Sequence, residues 1–76
     1  MKEADPSLLA ARSAKANALK RFKPIADVQG VGITRIAGSY GLKVNIRRPI
    51  ASGIDVPREI DGVPVRVEVV GVIRPA

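Results

Sequence analysis

Leu42-Lys43-Val44-Asn45-Ile46-Arg47 is the stretch that decides how this chain folds. Leu42, Val44 and Ile46 alternate with Lys43, Asn45 and Arg47. That period of two sends successive side chains to opposite faces of a pleated strand. One face is apolar and the other polar, which predicts a sheet buried on one side only. Just upstream, over Val28–Ile36, Val31 and Ile33 alternate with Gly32 and Thr34. Ala37-Gly38-Ser39-Tyr40-Gly41 between the two runs is a turn cluster, so the pair predicts a β-hairpin. Gly30 and Gly32 weaken the first strand. They predict a bulge, or close packing of the backbone against another element such as a helix.

Downstream, Pro49 ends the second strand. Residues 49 to 62 contain Pro49, Gly53, Pro57 and Gly62, the composition of a connection. One helical turn is predicted at Pro57-Arg58-Glu59-Ile60, followed by an Asp61-Gly62 turn. A last strand is predicted over Val63–Ile73. Val63, Val65, Val67 and Val69 share one face and Arg66 and Glu68 the other. Pro64 fits an edge strand or a strand start, and Gly71 permits a bulge.

Before the strands lies a different composition. From Pro6 to Phe22 the chain is rich in Ala, Leu, Lys and Arg, all good helix formers, with no internal Gly or Pro. Asp5 is the expected cap and Ser7 its rival, with Pro6 at the first helical position. Leu8, Ala11, Ala18, Leu19 and Phe22 fall on one face, with Ala14 at its edge. Lys15 intrudes on that face and is expected to lay its stem on the core with its head in water. Pro24 stops the helix.

The predicted fold is α+β in α-β-β-β order. Residues 1–5 form a tail and 6–76 one small domain, with the N-terminal helix packed on one face of a three-stranded antiparallel or mixed sheet. Three strands are too few to close a barrel. The expected core is Leu19, Phe22, Val31, Ile33, Leu42, Val44, Ile46, Val65 and Val67. At 76 residues and 46% hydrophobic content, the chain can build one thin core of two layers. Phe22 and Tyr40 are its only aromatic residues, so aliphatic side chains must fill it.

Composition also narrows function. Cysteine and histidine are both absent. Disulfides, thiolate nucleophiles, His/Cys metal sites and the commonest general base are thereby excluded. Ser7, Ser13, Ser39 and Ser52 have no histidine to activate them. Asp55, Glu59 and Asp61 cluster in the connection, where solvated acids are the norm, and no loop has the spacing of a calcium site. Gly30-Val31-Gly32 shares its glycines with a dinucleotide-binding loop, but that loop needs a helix directly after them, and none is predicted. No catalytic residue, cofactor or metal is expected. No run of residues has the length or apolarity of a signal peptide or membrane span, so the sequence predicts a cytoplasmic protein without membrane contact.

Thirteen Lys and Arg against seven Asp and Glu leave a net charge of +6. Arg12, Lys15, Lys20, Arg21 and Lys23 are scattered around the helix. Lys43, Arg47 and Arg66, with Arg35 as a further candidate, are expected on the sheet face away from it. That face is a candidate phosphate surface for nucleic acid. It lacks aromatic platforms on which bases could stack.

Three segments carry a resemblance: Val28-Gln29-Gly30-Val31-Gly32-Ile33, Leu42-Lys43-Val44-Asn45-Ile46 and Ile60-Asp61-Gly62-Val63-Pro64-Val65-Arg66-Val67. Across residues 28 to 73 the chain resembles a small α/β segment of unknown function that often precedes trypsin-like peptidase domains in bacterial proteins. The resemblance implies an accessory module. Its motifs are structural, no peptidase domain is present in this sequence, and no triad position carries over. Two functions are therefore expected in order. The first is a non-catalytic protein-interaction or accessory module of unidentified partner, a separately encoded peptidase being one candidate, as monomer or weak homodimer through strand edges. The second is a nucleic-acid-binding module using Lys43, Arg47 and Arg66.

Overall fold

The computed structural model describes residues 6–71. It consists of helix α1 (Pro6–Phe22) and four strands: β1 (Val28–Ile36), β2 (Ser39–Ile46), β3 (Glu59–Ile60) and β4 (Val63–Val69). The strands form one mixed sheet in the order β1-β2-β4-β3, and α1 packs on one of its faces. The fold is α+β as the sequence predicts, with a fourth strand. The tail at residues 1–5, the cap at Asp5 and Val72-Ile73 lie outside the described residues, and the last strand, expected to run on to Ile73, ends at Val69.

The helix begins at Pro6 and ends at Phe22, one residue before Lys23-Pro24. Lys20 and Arg21 in its last turn complement the negative end of the helix dipole. Its buried stripe is Ala11, Ala14, Ala18 and Phe22, at spacings of three and four. Three alanines let the helix lie close to the sheet, and Phe22 fills the wider end. This corrects the expected core. Leu19 is 44% exposed, because the alanine stripe seats the helix and turns Leu19 onto its flank. Lys15 lies on the same flank, exposed rather than laid across the core.

The hairpin forms, with a tighter turn than the Gly-rich cluster implies. Ala37 (φ 51°) and Gly38 (φ 83°) alone make the loop, and β2 starts at Ser39. Positive φ at both central residues is the type I′ turn that matches strand twist. The register pairs Ile36 with Ser39, Ile33 with Leu42 and Val31 with Val44, then slips between Val28 and Gly30. That bulge explains why Val28 and Val31, three residues apart, both pack on the apolar side. Gly30 and Gly32 do not approach the helix. A Cβ added at either would stand in open space.

Strand β4 runs parallel to β2, pairing Leu42 with Val65 and Val44 with Val67. The connection from β2 to β4 crosses on the helix side, where Ile50 packs near Phe22, Val44 and Ile46. The expected helical turn at Pro57–Ile60 is instead the two-residue strand β3, pairing antiparallel with β4 through Asp61-Gly62 (φ 54° and 79°). Val65 has an N–H to offer, and it donates to the Arg58 carbonyl at 2.8 Å, so the backbone is drawn into a ladder rather than a helix. Phe22, Leu42, Val44 and Ile46 are fully buried, as expected. Val31, Ile33, Val65 and Val67 are half-buried, because one 17-residue helix cannot cover the whole face.

Candidate interaction surfaces

The two faces of the sheet differ completely. On the helix side, the alternation of β1 and β2 brings Val31, Ile33, Leu42 and Val44 under α1. The opposite face carries Gly30, Gly32 and Thr34 from β1, Lys43 and Asn45 from β2, and Arg66 and Glu68 from β4, by the pairing register. No element of the described residues packs on that second face.

The sheet does bring two of the predicted basic residues together. Lys43 and Arg66 are register partners across the parallel ladder. Arg47 follows one residue after β2 and is exposed, its N–H donating to the Asp27 carbonyl at 2.9 Å. The face is not purely basic, because Lys43 Nζ lies 3.0 Å from Glu68 Oε2. Beside them Asn45 Oδ1 is shielded from solvent without a hydrogen-bond partner. Arg35 does not join this group. It shares the phase of Val31 and Ile33, pairs with Tyr40, and lies over that ring on the helix side, 5.2 Å from its centroid.

A second surface emerges only from the tertiary structure. Between α1 and β1 runs an open groove of about 730 Å³. Its helix wall is Arg12, Lys15, Ala16 and Leu19, the flank beside the buried alanine stripe. Its floor and far wall are Val28, Val31 and Ile33, with Gln29 and Gly30 at one end. The groove is apolar below and basic at the rim, and no acidic side chain lines it.

Strand β1 borders the groove and is the outermost strand on its side of the sheet. The two-residue hairpin fixes which of its peptide groups are free. Ile36 and Ser39 flank the turn as a hydrogen-bonded pair, and such pairs recur at every second residue in an antiparallel ladder. Thr34 and Gly32 therefore bond inward to Gly41 and Lys43. The N–H and C=O groups of Val31, Ile33 and Arg35 point outward from the sheet edge. Edge strands usually carry a lysine, proline or short length that discourages pairing. From Gly30 to Thr34 this nine-residue strand has neither charge nor proline.

The serines and carboxylates stay dispersed. Ser7 Oγ accepts a hydrogen bond from the Tyr40 N–H at 3.2 Å, tying the start of the helix to the hairpin. Asp61 accepts one from Asn17 Nδ2 at 2.6 Å, tying the middle of the helix to the β3–β4 turn. Asp55 and Glu59 are exposed. Among the described residues no group of three or more His, Cys, Asp or Glu is placed to hold a metal ion, and no helix is long and apolar enough to cross a membrane. The groove was beyond sequence reasoning because its walls come from segments about ten to twenty residues apart. The sequence carries no signal of it, because helical periodicity alone places Leu19 on the core-facing side. No protein family, characterised protein or solved structure was found to match this chain.

Proposed function

We propose that this chain is a non-catalytic protein-interaction module that engages its partner along β1 and the groove beside it. The observation that carries this reading is the uncharged stretch of the β1 edge from Gly30 to Thr34, between the bulge and Arg35, running alongside an apolar groove. An uncharged edge next to exposed apolar surface is costly to leave in water and prone to unwanted pairing, and partner binding would bury both. The missing histidine and cysteine and the dispersed serines support a role without catalysis. The resemblance to segments preceding trypsin-like peptidases makes a separately encoded peptidase the first partner to test.

The test is site-specific photo-crosslinking in native cells, with a benzophenone side chain at Leu19 in the groove or, as control, at Leu9, which is exposed elsewhere on the helix. A discrete protein adduct from position 19 and none from position 9 is expected. Equal, diffuse labelling at both positions, or adducts to nucleic acid, would remove this reading. The juxtaposition of Lys43 and Arg66 on the uncovered sheet face supports a second reading, nucleic-acid binding. It ranks lower because Glu68 already engages Lys43.

A further inference from the structure

We infer that the occupant of the α1–β1 groove is an extended, acid-bearing peptide segment of the partner that adds to the sheet as a fifth strand alongside β1. This rests on the interaction reading above and names the partner's chemistry and geometry.

Three features of the groove converge on a strand rather than a helix or a small molecule. The outward peptide groups of Val31, Ile33 and Arg35 offer alternating donors and acceptors along one line, the pattern that an incoming strand completes. The side chains of Val31 and Ile33 lean to the groove side, so an added strand places every second side chain into the groove and the rest over the open face. The free edge runs about five residues, or roughly 3.3 Å for each, which suits a short linear motif.

Charge sets the sequence preference. Ser7 bonds Tyr40 near the hairpin, and Phe22 packs with Val28 and Ile46 at the far end, so α1 runs antiparallel to β1. Arg12 and Lys15 therefore stand over the hairpin half of the groove, and Leu19 over the half floored by Val28. With no acidic residue in the lining, a carboxylate in the hairpin half meets two cations without opposition. Apolar side chains suit the Leu19 half. The chain's +6 charge favours encounter with an acidic segment.

The test uses a displayed library of random short peptides selected on the immobilised full chain. Selected peptides are then synthesised and titrated into isotope-labelled protein by NMR. Enriched peptides are expected to alternate apolar residues and to carry Asp or Glu. Their shifts should map to residues 28–35 and to one face of residues 12–19. N-methylation of the peptide amides that face β1 should abolish binding, while methylation of the alternate amides should not. The double variant Arg12→Glu, Lys15→Glu, exposed and folded by circular dichroism, should weaken binding on the order of tenfold or more. Basic selected peptides, or insensitivity to N-methylation, would overturn the strand inference. If selected peptides shift only residues outside the groove, or none is enriched, the strand inference falls too, and the Leu19 cross-link decides separately whether the interaction reading stands. Sedimentation of the free chain covers the other occupant. A stable dimer with β1 protected from exchange would mean that a second copy fills the edge, and would also overturn the inference.

Discussion

Gly41 lies directly beneath Ile36 on the sheet face away from the helix: a Cβ at Gly41 would stand 2.7 Å from Ile36 Cδ1 and 2.8 Å from the Pro64 carbonyl oxygen. The isoleucine tip can swing aside, but the carbonyl belongs to the backbone of β4. Gly41→Ala should therefore push β2 from β4 and cost about 1–3 kcal/mol. In a domain this small that is a fall of at least several degrees in melting temperature, roughly 4–8 °C for each kcal/mol. Calorimetry on the variant checks this, and an unchanged melt would show that the sheet accommodates the methyl group.

Phe22 and Leu19 make a paired test of how the helix is seated. Phe22 is fully buried against Val44 and Ile46, whereas Leu19 is largely exposed. Phe22→Ala should cost on the order of 3 kcal/mol or more through the cavity it leaves. Leu19→Ala should cost well under about 1 kcal/mol. Chemical denaturation of the two variants gives the order directly. A larger loss at Leu19 would mean that the helix is rotated from the position described.

Ala37 is held at φ 51° in the hairpin turn, where a Cβ crowds the following carbonyl. Asn-Gly is the preferred pair for a type I′ turn. Ala37→Asn should therefore raise stability, by about 0.5–1 kcal/mol, without moving any core residue. Equilibrium unfolding measures the gain. A loss would argue that the turn is of another type.

The Lys43–Glu68 pair separates the two functional readings. Both side chains are partly exposed, so Glu68→Gln should change stability by less than about 1 kcal/mol. The same variant frees Lys43 and removes a negative charge beside Arg66. We expect the wild-type chain to bind duplex and single-stranded DNA only feebly near physiological salt. Glu68→Gln should strengthen that binding modestly, and Lys43, Arg47 and Arg66→Ala together should abolish it. Fluorescence anisotropy against salt concentration reads the effect, with a slope near −0.7 to −0.9 for each phosphate contact. Tight, saturable binding by the wild type that the triple variant loses would promote the nucleic-acid reading.

The sequence by itself determined the elements governed by local rules. Pro6 and Pro24 bracket the helix because proline suits a first turn and forbids a continuing one. The stretch from Val31 to Thr34 and the run from Leu42 to Ile46 lie in strands because apolar side chains recur there at every second residue. Asp61-Gly62 turns because both tolerate positive φ. The apolar phase of β2 named Leu42, Val44 and Ile46 as core without reference to any partner.

Only the tertiary structure decided what depends on pairing between distant segments. Strand order is one such matter: β4 inserts beside β2 and runs parallel to it, so Glu59–Ile60 pairs as a short strand because β4's edge offers hydrogen bonds that a lone helical turn lacks. The seating of the helix is another. Leu8, Lys15 and Leu19 lie close to the alanine stripe in angle, and helical periodicity cannot say which of two neighbouring stripes will bury. The choice fell to Ala11, Ala14 and Ala18 because small residues allow the closest approach to the sheet. That rotation left Leu19 and Lys15 facing β1 across open space. The groove is thus a product of packing, and no pattern confined to either segment encodes it.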